Sequence, residues 1–125
     1  MASHNTLGKA GEQAAMEFLI KQGLTIRETN WRLNHLEIDI VAQDSRPRIH
    51  IVEVKTRSND EHFDPMKAIT KSKIRNLVAA ASGYLSHYNL KMEVQYDVMI
   101  ITGAPGEFHI HYIPDAFYPP LRSYR

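Results

Sequence analysis

Residues 49 to 57 constrain the fold of this chain more than any other stretch, because they begin as a buried strand and end in charges. The run Ile-His-Ile-Val leads directly into Glu53, Val54 and Lys55. Alternation along an extended strand places Glu53 and Lys55 on the same face as the two isoleucines that precede them. The stretch therefore predicts a strand of a packed sheet whose end presents a carboxylate and an ammonium group at the rim.

A second acidic strand is predicted just upstream, over residues 36 to 42. Its alternation places Ile38 and Ile40 on one face, with Glu37 and Asp39 on the other. Two neighbouring strands that each carry acids, with one lysine beside them, suit divalent-metal chemistry on a phosphate group.

Periodicity and turn residues predict seven elements in the order α-β-β-β-α-β-β. The helices are expected over residues 6–22 and from 66 or 70 to 88, the second capped by Thr70. The strands are expected over 24–31, 36–42, 48–55, 92–101 and 107–113, with a polar loop over 58–65. This order predicts an α/β fold, a mixed central sheet of about five strands flanked by helices. We expect one domain over residues 1–125, of which 114–125 form an irregular tail.

The charge balance excludes a polycationic nucleic-acid-binding protein. Fifteen lysine and arginine residues against fourteen aspartate and glutamate residues leave a net charge of +1, so contact with nucleic acid requires a local patch. The absence of cysteine excludes disulfides and thiolate zinc sites. Neither a membrane-spanning run nor a signal peptide is visible, so we expect a cytoplasmic protein that does not contact a membrane.

The acids and the lysine of the two strands form the candidate site. Hydrolysis of a phosphodiester requires a nucleophilic water and neutralisation of phosphate charge, which Mg²⁺ can supply when one or two carboxylates bind it. Asp39 and Glu53 are the candidate ligands. Lys55 is expected to orient the attacking water or to stabilise the charge that develops on phosphorus. The alternative is a surface ion pair between Glu53 and Lys55, worth about 0–1 kcal/mol.

A basic patch is predicted at the start of the second helix. Lys71, Lys73 and Arg75 crowd the first turn, where the helix dipole disfavours cations by roughly 0.3–1 kcal/mol each, and Lys67 extends the group. Together with Arg57, these residues are the candidate contacts to nucleic acid, most simply DNA. The alternative is a solvated basic face.

The C-terminal region is rich in tyrosine and arginine, and its role stays open. Three interpretations apply to it: base stacking, docking of a second copy in a homodimer, and ordinary surface packing. The residues concerned are Tyr112, Tyr118, Arg122, Tyr124 and Arg125.

Four groups of residues resemble landmarks of the YraN family of small bacterial proteins. They are Gly11-Glu12, Asn30-Trp31-Arg32, Glu37-Ile38-Asp39 and Glu53-Val54-Lys55-Thr56-Arg57. That family is similar to the archaeal Holliday junction resolvases, and both fall in the PD-(D/E)xK, restriction-endonuclease-like superfamily. The resemblance extends from the first helix to the strand at Tyr96-Asp97-Val98 and fades toward the C-terminus. One departure is Leu36, where the family usually has glycine.

The resemblance implies a restriction-endonuclease-like fold and a catalytic site. It implies that Asp39, Glu53 and the Val54 carbonyl hold Mg²⁺ or Mn²⁺, that Lys55 is the catalytic lysine, and that Glu12 lies near them. From the residues alone, Glu12 either reaches solvent or points into the cleft that its helix covers. Analogy with the resolvases suggests branched DNA, although a fold does not fix a substrate.

Three functions are consistent with these features of the sequence. The first is a metal-dependent nuclease in DNA repair or recombination. The second is a catalytically silent module that binds nucleic acid, and the third is a protein-interaction subunit without a nucleic-acid role.

Overall fold

The predicted order of elements is confirmed by the computed structural model, which describes residues 4–59, 64, 67 and 69–120. The helices are α1 (His4–Lys21) and α2 (Lys71–His87). The strands are β1 (Thr25–Leu33), β2 (Leu36–Gln43), β3 (Arg48–Arg57), β4 (Glu93–Thr102) and β5 (His109–Phe117). Most of the predicted 58–65 loop lies outside the described residues.

The five strands form one mixed sheet in the order β1-β2-β3-β4-β5. Only β3 and β4 run parallel, and the connection between them carries α2, because parallel neighbours need a crossover. The other neighbouring pairs are antiparallel. The chain is therefore an α/β fold with a mixed five-stranded sheet, as expected.

The two helices pack on opposite faces of the sheet. Leu77 and Tyr84 of α2 pack in one buried cluster with Ile51. Leu19 of α1 packs in a second cluster with Val52. Successive residues of β3 thus supply both cores, which is the alternation that a strand buried on both faces requires.

The end of α1 and the start of α2 have the capping residues that helix ends favour. Gly23 adopts φ +94, and Leu24 N–H donates to the Leu19 carbonyl, which closes α1 with a Schellman motif. Thr70 caps α2, since its hydroxyl accepts from Lys73 N–H at 3.1 Å. No helix among the described residues is long and apolar enough to cross a membrane.

The predicted start of the irregular tail at Pro114 is wrong. β5 continues to Phe117, on an edge of the sheet where proline is tolerated. The strand is irregular there: Asp115 adopts φ 54, and its N–H donates to the Asp97 carboxylate at 2.9 Å. This long-range bond has no local sequence signal, and residues 121–125 of the predicted tail lie outside the described part.

The predicted alternation of β2 also fails at one point. Ile38 packs in the α2-side cluster and Ile40 in the α1-side cluster, so the two side chains do not share a face. Opposite them in β1, Asn30 adopts φ 50 between the pairs Thr29↔Ile40 and Trp31↔Ile38. The strand is therefore irregular at Asp39, which is the residue the site needs.

Candidate active site

The site forms where β2 and β3 part. Their ladder runs from Gln43↔Ile49 only as far as Ile40↔Val52. Beyond it, Val54 N–H donates to Asp39 Oδ2 at 2.8 Å in place of a strand partner. The N–H and C=O of one strand residue point to the same side, so the Val54 carbonyl faces the same gap. Asp39 and the Val54 main chain thus meet at one point.

The carboxyl groups of Asp39 and Glu53 lie together at this point. Glu53 is 2% exposed, and its negative charge acts on the Asp39 carboxyl group. Burial, followed by repulsion from Glu53, raises the pKa of Asp39 to about 8. The two acids therefore share a desolvated position in which a positive charge would be stabilised.

Two lysines compensate the Glu53 carboxylate. Lys55 Nζ lies 3.5 Å from Glu53 Oε2, as its place on the same strand face predicts. Lys73 Nζ reaches the same oxygen from α2 at 3.1 Å. Lys73 was expected in the nucleic-acid patch, yet it contacts the acid pair.

The position of Lys73 along α2 is a sequence signal for its contact with the sheet. Lys73 precedes Leu77 by four residues and therefore lies on the buried stripe of α2 that continues to Ala80, Ala81 and Tyr84. A lysine at the first position of a buried stripe points toward the sheet. Its partner at the end of β3 could not be read from spacing alone.

Helix α1 brings Glu12 to the same cleft. Burial raises the pKa of Glu12, repulsion from Glu37 and Glu53 adds to this, and a hydrogen bond from Asn30 opposes it. The interpretation that Glu12 points into the cleft is supported over the interpretation that it only reaches solvent. Asn30, which no sequence argument assigned to the site, is part of the wall.

The residues meet in an open cleft of about 350 Å³. It is lined by Gly8, Glu12, Asn30, Glu37, Asp39, Val54, Lys55, Thr56 and Arg57. Glu53, which is buried, is absent from this lining. Within the described ranges, no three histidine, cysteine, aspartate or glutamate side chains form a group that could hold a metal ion.

The predicted nucleic-acid contacts do not form one patch. Arg57 lines the cleft and donates to the Thr56 carbonyl at 2.8 Å. Lys71 and Arg75 line a separate groove on α2, and Lys67 is exposed in the connection before that helix. Glu37 pairs with Arg32 at 3.3 Å.

The close contact between α1 and β3 depends on Gly11. A Cβ atom at this position would overlap the Thr56 side chain. We expect Gly11→Ala to lower the free energy of unfolding by about 1–3 kcal/mol, since overpacking a tight contact costs that much. Urea denaturation measures the change. Gly8→Ala is the matched control, because a Cβ there meets nothing within 4 Å, and it should stabilise α1 by up to about 1 kcal/mol. Equal effects of the two substitutions would contradict the close contact.

A second polar group lies outside the cleft, on the face that α1 covers. His50 is 5% exposed, and its ring nitrogens lie 2.7 Å from Asp97 Oδ2 and 2.7 Å from Asp44 Oδ2. Asp97 also accepts from Tyr112 at 2.7 Å and from Gln95 at 2.9 Å. Asp97 interrupts an otherwise apolar strand, which allows either support of the site or a hydrogen bond to backbone; none of its side-chain partners lines the cleft. Within the described residues, every buried side-chain nitrogen and oxygen has a hydrogen-bond partner.

Comparison with known proteins places the chain in a family. Residues 11–101 match the group described as "Uncharacterised protein family UPF0102". A UPF0102 protein of Bacteroides fragilis is 46% identical over 121 residues, covering 97% of this chain and 99% of the relative. One of Flavobacterium psychrophilum is 42% identical over 118 residues, covering 94% and 98%. The chain therefore belongs to the uncharacterised family UPF0102, the YraN family that its landmark residues resemble.

Proposed function

We propose that this protein is a divalent-metal-dependent nuclease that hydrolyses phosphodiester bonds in the cleft between α1 and the ends of β2 and β3. The observation that carries the proposal is the meeting of two strands at one point, where Asp39 Oδ2 lies 2.8 Å from Val54 N next to the buried Glu53. Lys55 lies beside them, with Nζ 3.5 Å from Glu53 Oε2. The resemblance to the resolvase-like superfamily supports the same function.

The donor set fits Mg²⁺ or Mn²⁺. The carboxylates of Asp39 and Glu53 and the Val54 carbonyl are oxygen donors, which both ions prefer, and Mg²⁺ is commonly bound by one or two carboxylates with waters. The raised pKa of Asp39 is the cost of two acids in one desolvated position, and a cation would remove it. A bound ion would supply an activated water and neutralise phosphate charge.

The other groups of the cleft have separate roles in this proposal. Lys55, with Nζ 3.5 Å from Glu53 Oε2, either orients the attacking water or stabilises charge on the phosphate. Arg57 lines the same cleft and can hold a phosphate oxygen. Lys73 fixes the Glu53 carboxylate from α2, at 3.1 Å. Glu12 faces the acid pair from α1 and is placed to accept a hydrogen bond from a metal-bound or attacking water.

The substrate is proposed to be DNA. Arg57 in the cleft and Lys71 and Arg75 on α2 supply the local positive charge that a protein of net charge +1 needs to bind a phosphate backbone. Analogy with the resolvases favours branched DNA, in repair or recombination.

Cleavage of labelled DNA in Mg²⁺ or Mn²⁺ tests the proposal. Duplex, branched and single-stranded substrates are compared, each with an RNA counterpart. We expect cleavage with at least one substrate, and we expect Lys55→Met to reduce the rate by about 100-fold or more, since general acid–base groups contribute 10²–10⁴-fold. Binding should weaken much less, because Lys55 is one of several cations.

The control is Glu93→Gln, which removes an exposed charge from the far end of β4, where Glu93 pairs with Arg48 at 3.4 Å. It should cleave as the wild type does. Salt-dependent DNA binding without cleavage in either ion would identify a silent binding module. A protein that neither binds nor cleaves any of these substrates would fit the hypothesis of a protein-interaction subunit.

A further inference from the structure

A largely apolar groove runs beside the start of α2, outside the cleft. Its volume is about 350 Å³, and its walls are Ile74, Tyr118 and Pro120, with Lys71 and Arg75 at the rim. The Tyr118 side chain is 72% exposed. Its hydroxyl donates to Asp115 Oδ2 at 3.0 Å, which anchors the far end of the ring. The groove therefore combines an exposed aromatic ring with two cations in its lining.

We propose that this groove binds an unpaired nucleotide of the DNA substrate, with its base on Tyr118 and its phosphates on Lys71 and Arg75. Single-stranded nucleic acid is recognised by aromatic rings on which bases stack, within a positively charged track for the backbone. The groove combines both features. The inference rests on the proposed nuclease function and deepens it, because it assigns the enzyme a substrate with unpaired bases.

The groove and the Glu53 carboxylate contact the same turn of α2. Lys73 contacts Glu53 at 3.1 Å, whereas Lys71 and Arg75, two residues to either side, face the groove. A helix with its side chains is about 10–12 Å across, so a nucleotide in the groove would lie about one helix width from the Glu53 carboxylate. A paired base would be hidden in its duplex and could not stack on Tyr118, so the groove favours an unpaired base near the cleaved bond.

Binding of fluorescein-labelled DNA tests the inference. The probes are a duplex with an unpaired thymine overhang and the same duplex with blunt ends, at fixed ionic strength, with Ca²⁺ in place of Mg²⁺. We expect Tyr118→Ala to weaken binding of the overhang DNA about 10-fold and of the blunt duplex less than about twofold, the range of base–aromatic stacking on alanine substitution. Tyr118→Phe should bind both probes as the wild type does, because the ring remains.

Tyr88→Ala is the matched control, since Tyr88 is a 40% exposed tyrosine at the other end of α2. It should not change either affinity. Unchanged overhang binding by Tyr118→Ala would overturn the groove proposal while leaving the nuclease proposal intact. Failure of the wild type to bind any DNA would overturn both. A dimer that Tyr118→Ala dissociates in sedimentation would overturn nucleotide binding and assign the groove to an interface between copies.

Discussion

Asp39→Asn is expected to abolish both metal-dependent cleavage and stabilisation by divalent cations. Asparagine keeps the shape of the side chain and an oxygen that accepts from Val54 N–H, now 2.8 Å from Asp39 Oδ2. It removes the charge that would bind the cation. We expect the cleavage rate to fall at least about 100-fold, because even partners of metal ligands cost 10–100-fold in affinity or activity.

The same variant gives a readout that does not need activity. A ligand that binds only the folded state stabilises it by about 2.7 kcal/mol at 100 times its Kd. Mg²⁺ or Mn²⁺ should therefore raise the melting temperature of the wild type and not that of Asp39→Asn. Without divalent cations, the variant should be at least as stable as the wild type at neutral pH, because the burial and the repulsion from Glu53 that raise the pKa of Asp39 impose no such cost on a neutral amide.

Glu93→Gln serves again as the control, since it removes a carboxylate that is 82% exposed and should leave the cation effect unchanged. Two results would contradict the assignment of the acid pair. One is equal stabilisation of Asp39→Asn and wild type by Mn²⁺. The other is a large loss of stability in Asp39→Asn without cations, which would mean that the carboxylate is needed mainly for folding.

The acid pair could be predicted from the sequence because strand alternation and a short turn fix it. Glu53 and Lys55 share a face by the period of a strand, and the hairpin between β2 and β3 brings Asp39 opposite them. What the alternation did not predict was the irregularity at Asp39. That irregularity depends on Asn30, a non-glycine residue at φ 50 in the neighbouring strand, and a left-handed residue inside a strand has no periodic signal.

The parts that could not be predicted depend on contacts between elements distant in sequence. The buried stripe of α2 indicates that Lys73 points toward the sheet, but its partner Glu53 lies on β3 and has no local signal. Pro114 ended the predicted last strand, although Asp97 of β4 accepts the N–H of Asp115 just beyond it. In both cases the deciding partner is on a different element, so local propensity could not identify it.

His50 and Asp97 form the second feature with a large expected effect, and it concerns stability. Asp97→Ala would leave buried His50, Tyr112 and the Asp115 N–H without their acceptor. Removing one partner of a buried ionic pair costs about 3–5 kcal/mol. We expect the free energy of unfolding, measured by urea denaturation at pH 6, to fall by that amount. By comparison, Glu93→Ala, which breaks an exposed pair, should cost at most about 1 kcal/mol.

The pH dependence of stability follows from the same bonds. Burial would lower the pKa of His50, but its hydrogen bonds to Asp97 and Asp44 outweigh this and raise it above 6.5. The contribution of His50 to the free energy of unfolding is therefore complete below pH 6.5, and it is lost as the pH rises through the pKa of His50 in the folded state. Burial would raise the pKa of Asp97, but its four hydrogen bonds lower it below 3.8. The contribution of Asp97 to the free energy of unfolding is lost only as the pH falls through this lowered pKa.

We therefore expect the wild type to lose stability between pH 6.5 and pH 9, and His50→Gln to lose less over the same range. Asp39 also lowers stability as the pH rises, since its pKa is raised to about 8, so the comparison is made in the Asp39→Asn background. There the remaining slope above pH 6.5 belongs mainly to His50. An identical slope with and without His50→Gln in that background would mean that His50 is not charged in the folded protein, and that its bonds to the two carboxylates are made by a neutral ring.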